Sequence, residues 1–302
     1  MSLYGFDRLY AIADRAAPRV PVAAMGGDDP TVLEALRRAT DRGWVMPTVV
    51  GPEGATRAAA ETAGIGLDGF QIVHAEGDDL APAAVAEVKQ GRARLLMKGR
   101  VATPALMRAV LDPEHGLRTG RVICQVVLME IPRDGRRFLL ADTGITVRPK
   151  PEQKADILRS AVEVAHALGA ERPKVALMAA TESLNVSMPE TVDAAGLQQR
   201  NREGEFPDCV VQGPLSFDLA YAADAGDKKR VGGEVVGAAD AMVFPDLLSA
   251  NLTVKAIMYT ADCRFGGVLR GTSAPVVFMS RADATETRLN SLALALTSSG
   301  SV

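Results

Sequence analysis

The sequence predicts an α/β fold built on mainly parallel sheets, and three observations carry that expectation. Short strand-like runs alternate with amphipathic helical stretches along the chain. The strand-like runs are apolar on both faces, as strands covered by helices are. The length, 302 residues of which 47% are hydrophobic and 24% charged, is that of a globular chain with room for two domains of about 150 residues each.

Taken in order, the runs 20–25 (VPVAAM), 47–50 (PTVV), 71–75 (QIVHA) and 94–97 (RLLM) read as strands of a first domain. Helices over 30–42, 54–64, 80–91 and 103–111 separate them. The first of these helices has Asp28 and Asp29 as caps, Pro30 near its first position, and Val32, Leu33 and Leu36 at helical spacing. The apolar runs 122–131 and 138–141 flank Pro132-Arg133-Asp134-Gly135. An Asp-Gly pair between two strands signals a hairpin, and this one is expected to mark the crossover to a second domain.

In that second domain Pro151 and Glu152 open a helix whose Ile157, Leu158, Ala161, Val162, Ala165 and Leu168 form one apolar stripe, closed by Gly169. Strands over 174–180, 208–211 and 241–244 follow, with helices near 189–203, 217–228 and 246–260. After Gly266-Gly267 and Gly271 come a last strand, 275–279, and a helix, 284–297, which are expected to rejoin the first domain. The expected domains are therefore 1–135 plus 271–302, a discontinuous unit, and 136–270. No internal repeat is visible, and only 299–302 reads as loose.

A formal charge of −3 provides no basic field of the kind that draws nucleic acid, so small molecules are the expected partners. Arg8, Asp14, Arg15 and Arg19 interrupt the first twenty residues, where a signal peptide would need an apolar core of roughly 7–15 residues. No run approaches the ~20 apolar residues that span a bilayer. A cytoplasmic chain without a membrane anchor is expected. Cys124, Cys209 and Cys263 lie far apart with no CxxC pair, which argues against a disulfide framework or a zinc site and reads as buried small hydrophobes.

Ligands of open parallel sheets bind beyond the carboxyl ends of the strands, so polar residues directly after apolar runs are the first candidates. These are Lys98-Gly99, Asp142-Thr143, Gly213-Pro214 and Ser280-Arg281-Ala282-Asp283, with Asn251 and Lys255 one helical turn apart after MVFP. Lys98, Lys255 and Arg281 supply cations. Gly99 permits close backbone approach, and Ser280 and Thr103 offer hydroxyls near helix starts, where anions are favoured. Each alone reads more often as a solvated rim group; together they describe a phosphate site. Nucleophile and nucleotide motifs fit poorly. The histidines are His74, His115 and His166, and there is no GxSxG, HExxH, GxGxxG or P-loop pattern.

The blocks LLMKGRVATPALMRAVLD (95–112), GLRTGR (116–121), LLADTGITVRPKPEQKADIL (139–158), QGPLSFDLA (212–220), VGAADAMVFPDLLSANLTVKA (236–256) and PVVFMSRADATETRLNSLALA (275–295) resemble the phosphate acetyl/butyryltransferase family. LMKG, GLRTGR and SRAD bring the chain nearest the butyryl branch. The resemblance implies two three-layer αβα domains with mainly parallel sheets and an interdomain cleft, as in isocitrate and isopropylmalate dehydrogenases. It also implies a homodimer that moves a short acyl group between coenzyme A and phosphate, with acyl-CoA and acyl phosphate as the other substrates. No metal, cofactor or covalent enzyme intermediate is implied.

Carried over residue by residue, the resemblance makes Ser280 and Arg281 holders of the phosphoryl and acyl-carbonyl oxygens, and makes Lys98, Asp142, Asp218, Asn251 and Lys255 cleft residues. Cys124-Gln125 stands where the butyryl branch often has Ser-His, and Ala250 where it often has Gly. The acetyl branch's proposed catalytic aspartate, seven residues beyond the serine, corresponds to Thr287, so Asp283 is the candidate base and Glu286 the second. Two other readings suit the same architecture: an NAD- and metal-dependent dehydrogenase, which would need clustered metal ligands, and a non-catalytic acyl-CoA or acyl-phosphate sensor.

Overall fold

The chain opens on a helix that the alternating pattern does not reveal, α1 (Phe6–Ala13), which buries Phe6, Leu9 and Ala13. There follow β1 (Val20–Met25), α2 (Pro30–Asp41), β2 (Val45–Gly51), α3 (Glu53–Thr62), β3 (Gln71–His74), α4 (Leu80–Lys89), β4 (Leu95–Lys98) and α5 (Thr103–Val110). Next come β5 (Cys124–Ile131), β6 (Arg136–Ala141), α6 (Pro151–Ala167), β7 (Lys174–Met178), α7 (Pro189–Arg202), β8 (Val210–Leu215), α8 (Phe217–Tyr221) and α9 (Ala225–Lys229). The last elements are β9 (Ala241–Val243), α10 (Leu247–Thr260), β10 (Arg264–Arg270), β11 (Val276–Val277) and α11 (Thr285–Ser298). This is a computed structural model, and it describes residues 3–278, 280 and 283–300.

The contacts group into two units. Phe6–Arg121 with Phe265–Val302 form a terminal unit, and Met1–Gly5 with Val122–Arg264 a central one. The hairpin β5–β6 lies wholly in the central unit, so the division falls before it, at 121/122, rather than at its turn. Cross-strand pairs from Val127↔Leu140 to Ile131↔Arg136 tie its two arms together, and separating them would break a local antiparallel ladder.

In the terminal unit the strand order is β3-β2-β1-β4-β11-β10, parallel except for the β10–β11 pair. The chain steps outward from β1 to β2 to β3 and then returns past β1 to β4. Right-handed crossovers put α2 and α3 on one face and α4 on the other. α2 packs against α3, β2 and α11, while α4 packs against β1, β2 and β4. In the central unit the order is β5-β6-β9-β7-β8, parallel apart from the hairpin. There the direction reverses between β7 and β9, since β7 leads outward to β8 and β9 inserts on the other side. Each unit thus has one point where successive crossovers leave in opposite directions, the place where such sheets open a crevice.

Two expectations are corrected. The helix expected over 217–228 is a pair of short helices, α8 and α9. The carbonyls of Leu219 and Ala220, which a continuous helix would use, accept instead from Gly237 N at 2.7 Å and Ala239 N at 3.2 Å. Gly266 and Gly267, expected only to precede a last strand, lie inside a further strand, β10. A Cβ at Gly266 would fall 2.9 Å from the backbone of Asn290 and Ser291, so the strand carries glycine where α11 is pressed against it.

Candidate functional site

In the terminal unit the reversal falls between β1 and β4, whose carboxyl ends lie side by side with Met25 in register with Lys98. Gly26 holds φ at +84°, and a Cβ there would crowd the backbone nitrogen of Arg100. A Cβ at Gly99 would collide with the carbonyl of Met25. Glycine is therefore needed on both loops for their backbones to approach. Lys98 emerges at this junction almost completely buried, 2% exposed. Its ammonium lies 3.4 Å from the carbonyl of Gly99 and 5.8 Å from the centre of the Phe278 ring. A buried ammonium is costly to desolvate, so its placement at a strand-end crevice favours an anion there.

Beneath this junction lies a residue that does not follow any strand-like run in the sequence. Arg288, on α11, is fully buried. Its Nε donates to Thr31 Oγ1 at 2.9 Å, Nη2 to Asp29 at 3.4 Å, and Nη1 to the carbonyl of Lys98 at 3.5 Å. Burial pulls the guanidinium pKa down, opposed by Asp29 and Asp283. Asp29 also caps α2 through Thr31 N and Oγ1. One guanidinium therefore joins the start of α2 to the end of β4. The sequence signal for this was weak, because an arginine on an amphipathic helix normally reads as solvated.

Thr103 begins α5 and is half-buried, and the residue before it, Ala102, provides no side-chain cap. Ser280 and Asp283 are bonded to each other: Ser280 N donates to Asp283 Oδ2 at 2.6 Å and Asp283 N to Ser280 O at 3.2 Å. Arg281 lies outside the described residues. Glu286 faces elsewhere, accepting from Tyr10 Oη at 3.1 Å and Arg38 Nη2 at 2.9 Å.

In the central unit Asp142 follows β6 and is 3% exposed. Its Oδ1 accepts from Gln125 N at 2.9 Å, Gly144 N at 3.0 Å and Ile145 N at 3.2 Å, and its Oδ2 from Thr146 N at 2.7 Å. Burial raises its pKa, and these four backbone donors oppose the rise. Asn251, on α10, donates to the carbonyl of Thr143 at 3.1 Å. Asp142 and Asn251 are thus joined through the loop 142–146, next to Cys124-Gln125. Thr143 Oγ1 is buried there without a hydrogen-bond partner among the described residues. Lys255 is exposed on α10, one turn beyond Asn251.

Asp218 is not part of this group. It follows β8, three strand positions from β6, or about 14 Å at the usual spacing. Lys229, 2.8 Å away, and Ser216 hold its pKa down at about 2. Any stability gained from this pair is present above the ordinary carboxylate range and is lost as pH falls toward 2. Replacing Lys229 by methionine should therefore return the Asp218 titration upward toward that range. An NMR pH titration of the side-chain carboxyl would check this; an unmoved midpoint would show that Lys229 does not set it.

At the second reversal point, between β7 and β9, lies a cavity of about 610 Å³. Ala179 and Ala180 after β7, Phe244 after β9, Phe217 at the start of α8, and Ala256 and Ile257 on α10 make its apolar walls. No polar residue marks this place in the sequence, because the residues that follow β7 and β9 directly are apolar. Among the described residues, no group of three or more histidine, cysteine or carboxylate side chains could hold a metal ion, and no helix is long and apolar enough to cross a membrane.

The fold and these crevices define an α/β protein that presents a cationic, glycine-built junction in one unit and an apolar cavity in the other. The chain belongs to the phosphate acetyl/butaryl transferase family, whose model matches residues 78–296. It is 41% identical over 275 residues to a phosphate butyryltransferase of Clostridium acetobutylicum, covering 91% of each chain. It is 35% identical to a phosphate acetyltransferase of Thermotoga maritima, over 95% of this chain and 97% of that one. Among solved structures, a branched-chain phosphotransacylase from Enterococcus faecalis V583 superposes with a TM-score of 0.81 at 30% identity, covering 92% of this chain and 98% of that one.

Proposed function

We propose that this chain is an acyltransferase that moves a short acyl group between the sulfur of coenzyme A and inorganic phosphate. The observation that carries the reading is the buried Lys98 at the glycine-built β1–β4 junction, in a chain 41% identical to a phosphate butyryltransferase. The reading includes the finer architecture that the resemblance implies: two αβα domains of isocitrate dehydrogenase type with a cleft for both substrates, and a homodimer in the cytoplasm.

In the direction of thioester synthesis, the thiol sulfur attacks the carbonyl carbon of the acyl phosphate. A C–S bond forms, the C–O bond to phosphate breaks, and phosphate leaves with the electron pair. A thiol has a pKa of roughly 8.5 and reacts as the thiolate; in the proposal Asp283 takes the proton. Ser280 and Arg281 hold the oxygens on which charge grows, and Lys98, Gly99 and Thr103 bind the phosphate. Asp142 and Asn251 shape the 142–146 loop on the thiol side, with Lys255 and Asp218 as peripheral binding groups.

Phosphate-dependent release of free thiol from butyryl-CoA or acetyl-CoA is the direct test. No release from either would overturn the assignment, and binding without release would make the chain a sensor. Arg281→Ala should lower kcat by about 10²–10³-fold with an unchanged melting temperature, and retained turnover would remove Arg281 from the mechanism. Asp283→Asn should lose activity that partly returns at higher pH, as thiolate forms without a base. A pH profile parallel to that of the wild type would exclude Asp283 as the proton acceptor.

A further inference from the structure

We infer that Arg288 is a positioning residue for the phosphate half of the reaction. From beneath the β1–β4 junction it fixes the loop after β1 against the end of β4, and so holds the ammonium of Lys98 where phosphate must meet it. The inference rests on the reading of this junction as the phosphate site.

The need for such a tie follows from where the sheet stops. The ladder between β1 and β4 ends at Met25 and Lys98, so beyond that pair no strand hydrogen bond keeps the two loops together. On the outside, Arg100 and Asp28 form an ion pair at 3.7 Å with both side chains open to solvent, and a pair of that kind contributes little. On the inside lies Arg288, fully buried, where contacts to charged and polar groups are screened far less.

Its three nitrogens divide between the two sides. Toward β1, Nε and Nη2 reach Thr31 Oγ1 and Asp29 Oδ2. Asp29 N donates in turn to Gly26 O at 3.3 Å, so the grip extends back to the residue that follows β1. Toward β4, Nη1 reaches the carbonyl of Lys98. That carbonyl belongs to the peptide joining Lys98 to Gly99, and a Cβ on Gly99 would lie 2.9 Å from Val32 Cγ2 of α2. Holding the plane of this peptide therefore holds both the seat of α2 and the direction in which the Lys98 side chain leaves the backbone. The arrangement uses a planar fork with donors on three nitrogens, which lysine lacks. Being buried, Arg288 does not itself touch a ligand, and it acts through Lys98.

Methionine at 288 alone would leave the Asp29 carboxylate, 8% exposed, without its cation, a strongly destabilising change. Two variants avoid this. Arg288→Lys keeps a charge beside Asp29 but not the fork. Arg288→Met combined with Asp29→Asn removes both charges and retains a residue suited to capping α2. Thiol release is measured with phosphate and butyryl-CoA varied in turn, and melting temperature with and without phosphate. KM for phosphate is expected to rise by about 10–10²-fold in both variants, the scale of loss when a group at the reacting centre is displaced by about 1 Å. KM for butyryl-CoA and the melting temperature without phosphate should stay near the wild-type values, and the stabilisation by added phosphate should shrink. An unchanged phosphate KM in folded variants would overturn the inference. So would an equal rise in KM for butyryl-CoA, which would mean a general disturbance, or a loss confined to kcat, which would mean that Arg288 does not act on the phosphate grip. Wild-type kinetics in Arg288→Lys would show that charge alone is needed and would overturn it too; if the double variant does not fold, Arg288→Lys decides by itself. An unchanged kcat/KM for phosphate in Lys98→Met would instead remove the phosphate site itself, an outcome distinct from all of these.

Discussion

Replacing Lys98 by methionine is expected to lower kcat/KM for phosphate by about 10²–10³-fold, the usual loss when a preorganised charge or donor at a developing anion is removed, while leaving the protein folded. Methionine keeps an unbranched, polarisable stem against Phe278, whose ring centre lies 5.8 Å from the ammonium. At 2% exposure the lysine carries a desolvation cost, and exchanging a buried charge for an apolar side chain of similar shape is often neutral or stabilising. A melting temperature equal to or above that of the wild type should therefore accompany the kinetic loss. Kinetics with phosphate as the varied substrate check it, and an unchanged kcat/KM would show that the β1–β4 junction is not the phosphate site.

Asp142→Ala is expected to destabilise the protein by about 2–4 kcal/mol, because four backbone N–H groups lose their shared acceptor at a site little open to water. The donors belong to Gln125, Gly144, Ile145 and Thr146. Their release loosens the loop whose Thr143 carbonyl is bound by Asn251, so activity should fall together with stability. Asp142→Asn should be milder, since one oxygen can still serve the donors on Oδ1, but its amide group would oppose the Thr146 N–H. Urea unfolding of both variants measures the difference. Equal and negligible losses would mean that the loop holds its shape without this carboxylate.

Much of the fold and part of the candidate site could be read before any coordinates. The cap and proline at Asp29-Pro30, the Asp134-Gly135 hairpin turn and the long apolar stripe of α6 are local signals, carried by residues a few positions apart. The positions of Lys98, Asp142 and Ser280 just beyond apolar runs were legible for the same reason. Helix α1 and strand β10 were not. The first is short, and the second contains Gly266 and Gly267, which by propensity alone argue against a strand; at Gly266 the close approach of α11 leaves no room for a side chain.

What the sequence by itself determined was the class of fold, the family, and the set of polar residues that end the strands, because each is written in periodicity or in contiguous motif blocks. The tertiary structure alone decided which of those residues share a place. Strand neighbours in a parallel sheet are joined by crossovers of a dozen or more residues, so no local signal says that β1 lies beside β4 or β9 beside β7. That ordering brings Arg288 beneath Lys98, sets Asp218 apart from Asp142, and opens an apolar cavity behind residues that looked, one by one, like ordinary core.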